Sequence, residues 1–222
     1  MLNYYRRYKM RNYPIIVSYP KTGRTWLRFM LKELNLNFVF SHDQSEPIQK
    51  ISYKDYISNV SNYKKKKVIF LIRDPKDTVV SMFFQMTKRE KLFQGNISDF
   101  IRNDIWGIKK IVWFYKLWSD DQGVPASILI VKYEDLKQNT TLEINRICTF
   151  IGQERESDTI QNVVDLYSFE NMHNKEAQSN SDKDSLKARK AKVGGYVDML
   201  NAGDIDYCNK VITETNCPWY SV

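Results

Sequence analysis

A stretch near the start of the chain, IIVSYPKTGRTWL at residues 15–27, joins a strand pattern to a helix pattern through a very short loop. The apolar, β-branched run stops at Pro20, the turn passes through Gly23, and a helical pattern starts at Thr25. In such a unit the loop N–H groups and the positive end of the helix dipole point at one place, which suits an anion. The stretch therefore predicts an α/β unit with an anion site after its strand.

The same alternation continues along the chain. Further short apolar runs at 38–40, 68–72 and 128–131 predict buried strands, with helical patterns between them. Alternating strands and helices predict a central parallel sheet flanked by helices on both faces. No internal repeat is present, so we expect residues 1–222 to form a single domain, with a mobile polar loop at about 174–192.

Three helical patterns carry specific expectations. The segment TWLRFMLKELN predicts a helix whose apolar face contains Trp26, Phe29, Met30 and Leu34. The segment at 101–121 predicts one long helix with its aromatic residues in the core. A third helix is expected between an Asn139-Thr140 cap and Gly152.

Charge and cysteine usage restrict the partners and the compartment. The formal net charge of +8 favours an anionic partner such as a nucleotide, a nucleic acid, an acidic glycan or a membrane surface. Cys148, Cys208 and Cys217 are far apart and odd in number, which predicts neither a disulfide framework nor a zinc site and suits a reducing compartment. The N-terminal residues contain no apolar run long enough for a signal peptide or a spanning helix, so we expect a cytoplasmic protein without a transmembrane segment.

A second strand–helix junction, VIFLIRDPKDTVVS at 68–81, places Arg73 at the carboxyl end of a predicted strand, where open α/β sheets bind ligands. Ser81 follows two turns into the predicted helix, and a guanidinium beside a hydroxyl suits a phosphate. Alternatively, Arg73 pairs with Asp74 or Asp77 and Ser81 only packs. The residues of this segment leave both interpretations open.

Two other classes of protein compete for these features. A P-loop kinase needs a Walker A lysine after its second glycine, whereas Lys21 precedes Gly23. A nucleic-acid-binding module needs Lys and Arg clustered on one face with aromatic residues between them. Here the basic residues are spread along the chain among acidic ones, so no nucleic-acid partner is expected.

Taken together, the two junctions resemble a known family. Residues 19–27 resemble the 5′-phosphosulfate loop, and residues 73–81 the 3′-phosphate motif, of the sulfotransferases that use 3′-phosphoadenosine 5′-phosphosulfate (PAPS). The resemblance extends over roughly residues 14–212, because three more stretches follow in the family's order: YEDL at 133–136, SFENM at 168–172 and RKAKVGGY at 189–196.

The resemblance implies a P-loop-NTPase-like α/β sulfotransferase fold and an enzyme that transfers a sulfuryl group from PAPS to a hydroxyl or amine of an acceptor. The product would be 3′,5′-bisphosphoadenosine (PAP), with no metal involved. Lys21 would stabilise the leaving oxygen between phosphate and sulfate. Donor binding would fall to Thr22, Gly23, Arg24 and Thr25 at the 5′-phosphate, Trp26, Tyr133 and Phe169 at the adenine, and Arg73, Ser81, Arg189 and Lys190 at the 3′-phosphate.

Sulfuryl transfer also needs a base, and the chain has two histidines, His42 and His173. The family places its base between the two nucleotide motifs, where His42 falls. An ordinary imidazole pKa near 6.5 suits a general base at neutral pH. The neighbouring Asp43 could orient the imidazole or take its place.

The acceptor is not identified by any motif. Five aromatic residues could line a pocket for a small phenol or alcohol or could belong to the core: Tyr53, Tyr56, Phe83, Phe84 and Phe93. Arg24 stands where the family frequently has threonine, Ala191 stands for a glycine, and Gly195-Tyr196 stand for Asp-Trp. The short dimer motif of cytosolic members finds no match, so the oligomeric state is left open.

Overall fold

A computed structural model of the chain describes residues 13–168, 170–171 and 192–220. Its centre is a four-stranded sheet in which every neighbouring pair is parallel. The strands are β1 (Ile15–Ser18), β2 (Val39–Ser41), β3 (Lys67–Ile72) and β4 (Ser127–Lys132). This confirms the predicted α/β class, and all four strands lie within a residue or two of the predicted apolar runs.

Helices connect and cover the strands. In the described part of the chain the α-helices are α1 (Arg24–Glu33), α2 (Pro75–Phe84), α3 (Ile97–Arg102), α4 (Ile108–Asp120), α5 (Tyr133–Gln138), α6 (Thr140–Ile151), α7 (Ser157–Leu166) and α8 (Ala202–Thr215). Shorter turns are the 3₁₀ segments Pro47–Gln49, Val60–Tyr63 and Gly195–Asp198 and a π-helical turn at Gln85–Arg89.

The strand order is β2-β1-β3-β4. The chain leaves β1 towards β2 on one side and later adds β3 on the other, so the order reverses between β1 and β3. Open α/β sheets bind ligands outside the carboxyl ends of their strands at such a reversal. The topology therefore brings the loops after β1, β2, β3 and β4 to one edge.

The two faces of the sheet contact separate cores. On one face Phe70 of β3 stacks on Phe114 and Trp118 of α4, with ring centroids 5.5 and 4.8 Å apart. On the other face Ile16 and Leu71 belong to a cluster with residues of α1, α6 and α7. Because both faces of the sheet are buried, the strands are almost uninterrupted apolar runs.

The ends of α6 match the prediction. The Asn139 side chain accepts a hydrogen bond from the N–H of Leu142 at 3.0 Å. Gly152 ends the helix with φ of 71°, a left-handed conformation that glycine adopts without a Cβ penalty.

The expectation of one long helix over 101–121 is wrong. Helix α3 ends at Arg102, and α4 begins at Ile108. The Asn103 side chain accepts from the N–H groups of Ile105 and Trp106, which offers the backbone a turn in place of helix.

The expected apolar face of α1 needs correction. Its buried residues are Leu27, Met30 and Leu31, and Leu34 is buried just beyond its end. Trp26 and Phe29 are only half-buried. Trp26 lies in the first turn of the helix, where its ring contacts Tyr133 at the edge of the site described below.

Three further expectations concern the polar loop, the cysteines and membrane-spanning helices. The polar loop expected at 174–192 lies outside the described residues except for Lys192. Cys148, Cys208 and Cys217 are buried free thiols. Within the described ranges, none of the helices combines the length and apolar character needed to cross a bilayer.

Candidate active site

Each strand is followed by a residue for which the sequence predicts a role in binding or catalysis. Lys21 follows β1, His42 follows β2, Arg73 follows β3 and Tyr133 follows β4. Because the four strands are parallel and adjacent, these residues meet at one edge of the sheet.

The loop after β1 is built around two left-handed residues, Lys21 with φ of 73° and Gly23 with φ of 92°. Gly23 is the N-cap of α1 and gives it no side-chain cap. The first N–H groups of a helix have no intrahelical partners, so the amides at Arg24 and Thr25 are available to an anion. The Thr22 hydroxyl is buried and donates to the carbonyl oxygen of Tyr19 at 2.9 Å, which holds the loop in shape.

Tyr133 lies beneath this loop at the start of α5. A Cβ placed on Gly23 would lie 2.5 Å from its Cδ2 atom. The Arg73 guanidinium lies 4.6 Å from the centre of the Tyr133 ring, and the Trp26 ring meets it edge-on at 6.2 Å. Burial raises the pKa of the Tyr133 hydroxyl. Tyr133 thus contacts both Gly23 and Arg73. The sequence predicted contact with adenine for Tyr133 and did not indicate this position between the two predicted motifs.

We expect Gly23→Ala to lower the free energy of unfolding by about 2–5 kcal/mol, because a left-handed alanine costs about 1–2 and overpacking against Tyr133 about 1–3 kcal/mol. Urea unfolding measures this. Gly152→Ala, with positive φ but open space, should lose only about 1–2 kcal/mol. Gly123→Ala, with neither constraint, should stay within about 0.5 kcal/mol of the parent. Equal losses of unfolding free energy at Gly23 and Gly152 would show that Tyr133 moves aside without destabilising the fold.

Arg73 ties the two motifs together. Its Nη1 donates to the carbonyl oxygen of Lys21 and its Nη2 to that of Lys192, both at 3.3 Å. An Asp77 oxygen lies 3.7 Å from Nη2. The Nε–H of Arg73 is buried with no hydrogen-bond partner in the described structure. Arg73 thus contacts the loop that precedes the uncapped end of α1, and a buried unsatisfied donor there suits an anionic ligand.

The two aspartates that follow Arg73 have different functions. Asp74 caps α2, accepting from the N–H groups of Lys76 at 2.7 Å and Asp77 at 3.2 Å. Burial raises the pKa of Asp74. Of the two pairings that the sequence left open for Arg73, the structure shows the one with Asp77.

Asp77 also anchors the end of the C-terminal motif. Its carboxylate accepts from the N–H of Gly194 at 2.8 Å and from that of Tyr196 at 2.9 Å. This brings the turn Gly195–Asp198 against α2 beside Arg73. Ser81 is half-buried on the same face of α2, four residues after Asp77. The sequence indicated Asp77 only as an alternative partner for Arg73 and gave no sign of this anchoring.

Three predicted donor-binding residues are not part of the described structure: Phe169, Arg189 and Lys190. Trp26 is described, and its indole N–H donates to the carbonyl oxygen of Tyr167 at 2.7 Å. This contact ties the start of α1 to the end of α7.

His42 lies beside the β1 loop in a defined tautomer. Its Nδ1 is 2.7 Å from the carbonyl oxygen of Ser18, which can only accept, so Nδ1 carries the proton. Its Nε2 therefore holds the lone pair, which accepts from Nη2 of Arg24 at 2.5 Å. Burial, and secondly the charge of Arg24, lower the pKa of His42 to about 4. At neutral pH the imidazole is therefore uncharged, with the lone pair of Nε2 directed at Arg24.

Asp43 points away from this site. Its buried carboxylate accepts from the indole N–H of Trp118 at 3.0 Å and from the N–H of Asn59 at 3.1 Å, and also from two tyrosine hydroxyls, those of Tyr56 and Tyr63. No described hydrogen bond joins it to His42. Asp43 therefore anchors the loop after β2, and the base candidate at this edge is His42.

The aromatic residues considered for an acceptor pocket lie mostly against the core. Tyr56 is buried, and its hydroxyl donates to Asp43. Phe83 and Phe93 pack edge-on against Phe100, with centroids 5.5 and 5.0 Å apart. Phe84 is half-buried and contacts Phe83, and the half-buried Tyr53 has Lys109 over its ring at 5.3 Å.

Lys21 has a partner that the sequence did not indicate. Its Nζ donates to Oε1 of Gln85 at 3.3 Å, and the same oxygen accepts from Arg89 at 2.6 Å. Gln85 begins the π-helical turn that follows α2. Such turns are frequent at functional sites, and no residue pattern in the segment marks this one in advance.

The fold and this edge define a class: an α/β enzyme that binds an anionic substrate at the carboxyl ends of parallel strands. The family model of the sulfotransferase domain matches residues 60–216. The chain therefore belongs to the sulfotransferase family, as the sequence motifs predicted. This assignment excludes the alternatives of a P-loop kinase and a nucleic-acid-binding module. That match begins after Lys21 and His42, so the assignments of these two residues rest on the geometry above.

Individual relatives agree with the family. The chain is 26% identical over 216 residues to sulfotransferase 6B1 of Danio rerio, covering 82% of this chain and 71% of that protein. It is 24% identical over 251 residues to flavonol 4′-sulfotransferase of Flaveria chlorifolia, covering 90% and 77%.

Solved structures share the fold. Mouse sulfotransferase SULT7A1 complexed with PAP superposes with a TM-score of 0.68 at 19% identity, covering 92% of this chain and 83% of that one. Retinol dehydratase in complex with androsterone and inactive cofactor PAP gives a TM-score of 0.69 at 18% identity, covering 94% and 82%.

Proposed function

We propose that this protein transfers the sulfuryl group of PAPS to a hydroxyl of a small acceptor, with Lys21 stabilising the leaving group and His42 as the base. The observation that carries the proposal is the hydrogen bond from Arg73 to the carbonyl oxygen of Lys21 at 3.3 Å. It joins the two nucleotide motifs, which are far apart in the sequence, into one anion site.

The residues at this edge fit the donor. Its 5′-phosphosulfate suits the uncapped end of α1, where the amides at Arg24 and Thr25 have no intrahelical partners and Lys21 lies in the preceding loop. Its 3′-phosphate suits Arg73, whose Nε–H has no hydrogen-bond partner in the described structure, together with Ser81. The relative of known structure SULT7A1 holds PAP, which supports the assignment.

The acceptor side follows from the tautomer of His42. The lone pair on Nε2 takes the proton of the acceptor hydroxyl, and the hydroxyl oxygen forms a bond to sulfur. The bond between sulfur and the phosphate oxygen breaks in line, leaving its electron pair on the phosphate. Lys21 and the α1 amides stabilise this charge, as preorganised donors do in phosphoryl transfer.

Donor recognition is tested by calorimetric titration with PAP and with AMP, both in the presence of EDTA. The protein should bind PAP more tightly than AMP. Arg73→Ala should weaken PAP binding about 10- to 150-fold, because a hydrogen bond to a charged group contributes about 1.5–3 kcal/mol. AMP binding should weaken less, because AMP has no 3′-phosphate and loses only the support that Arg73 gives to the loop at Lys21. Lys64→Ala removes one exposed positive charge elsewhere and should leave both affinities unchanged. Equal affinities for PAP and AMP in the parent protein would contradict the proposed donor site.

A further inference from the structure

Arg24 occupies the atom that the proposed base must use. The lone pair on Nε2 of His42 accepts from Nη2 of Arg24 at 2.5 Å, while Nδ1 donates to Ser18. An sp² nitrogen has one lone pair, so it cannot accept from Arg24 and from an acceptor hydroxyl in good geometry at once. Arg24 must therefore leave Nε2 before sulfuryl transfer begins.

The guanidinium of Arg24 lacks a counter-ion in the described structure. No described carboxylate oxygen lies within ion-pair distance of it, and its described side-chain hydrogen bond is to the neutral imidazole of His42. Burial and the charge of Arg28 lower the pKa of Arg24 to about 10, so it stays positive at neutral pH. A half-buried cation without an anion gains free energy when one arrives.

The charged groups that act on Arg24 and His42 come from two segments. Arg24 and Arg28 belong to α1, and Glu46 lies in the loop after β2. Glu46 favours the charged form of Arg24 from a distance, and its Oε2 is buried with no hydrogen-bond partner among the described residues. Glu46 is thus the competing destination for the Arg24 side chain.

We propose that Arg24 selects the acceptor: it pairs with an anionic group, such as a carboxylate, carried near the acceptor hydroxyl, and this pairing frees Nε2 of His42. The inference rests on the proposed function and names its acceptor class. Arg24 then acts twice, excluding neutral alcohols by capping the base and admitting anionic ones by releasing it. The threonine frequent at this position in the family could do neither, because its side chain is short and neutral.

Histidine NMR on the protein–PAP complex tests the release without turnover. The chain has two histidines, and His42→Gln identifies the signal of His42. The probes are 2-, 3- and 4-hydroxybenzoate, each compared with its methyl ester. At least one acid should raise the pKa of His42 from about 4 towards the ordinary 6.5, while its ester leaves it low. Arg24→Thr should raise the pKa with no probe present.

Kinetics with the same probes test selection. The parent should prefer the acid over its ester at least tenfold in kcat/KM. Arg24→Thr should bring this ratio near one by losing activity on the acid and gaining it on the ester, and Arg24→Lys should keep part of the preference. The acid limb of kcat/KM, which reports the free enzyme, should move towards pH 6.5 in Arg24→Thr.

Three results would overturn the inference. The first is that none of the three acids raises the pKa of His42 more than its ester. The second is an acid-to-ester ratio that Arg24→Thr leaves unchanged. The third is that Glu46→Gln lowers activity equally on acids and esters, which would make Glu46 the partner that releases His42. If PAP still binds more tightly than AMP, only the role of Arg24 fails; if it does not, the proposed function fails first.

Discussion

Replacing Lys21 with alanine is expected to lower kcat about 10²- to 10³-fold, the usual effect of losing one donor at a developing charge. The affinity for PAP should fall much less, because the charge that Lys21 stabilises is greatest when the bond between sulfur and phosphate breaks. Single-turnover transfer from PAPS, together with PAP titration, separates the two effects.

The structure allows a clean interpretation of this variant. Lys21 has a positive φ of 73°, and alanine carries the same Cβ, so the backbone strain of the loop stays nearly constant. The carbonyl oxygen of residue 21 can still accept from Arg73, which preserves the junction of the two motifs. Lys65→Ala, at an exposed lysine, is the matched control and should behave as the parent. A kcat for Lys21→Ala within threefold of the parent would remove Lys21 from the chemistry.

The second large effect is expected at His42. His42→Gln should lower kcat/KM roughly 10²- to 10⁴-fold, the range of a positioned general base. Its affinity for PAP should be unchanged, because the imidazole forms hydrogen bonds with Ser18 and Arg24 and none with Arg73. The variant should also lose the acid limb of the pH profile that titration of His42 produces.

Asp43→Asn tests whether Asp43 acts in catalysis or only stabilises the loop after β2. The buried Asp43 carboxylate accepts from Trp118, Asn59 and two tyrosines, so its loss should appear in the free energy of unfolding. The folded fraction should keep a kcat close to that of the parent. A variant Asp43→Asn that folds normally but loses as much activity as His42→Gln would assign the base to Asp43 instead.

The elements that hold the site could be predicted from the sequence. The strands β1 and β3 and the starts of α1 and α2 are local patterns: apolar runs of strand length followed by Gly23 or by a capping Asp74. The alternation of strands and helices predicts that the strands are parallel, and parallel strands place Lys21 and Arg73 at one edge of the sheet. Local propensity and connection rules are sufficient for these features because they involve residues close together in the chain.

Contacts between distant residues depended on tertiary packing. The sequence could not show that Asp77 accepts from the N–H of Gly194, or that Tyr133 lies under Gly23, because each contact joins separate elements. It also missed the Asn103 turn that divides the expected long helix, where a side chain competes with the backbone.

The same division applies to the base. The sequence determined that His42 follows a strand at the binding edge, because the strand pattern and the position of the residue are local. Only the tertiary structure decided which nitrogen carries the proton and what covers the other, because Ser18 and Arg24 reach His42 from β1 and α1. The chain thus encodes where its reactive groups stand, and the packing of strands and helices decides their hydrogen-bond partners and their pKa.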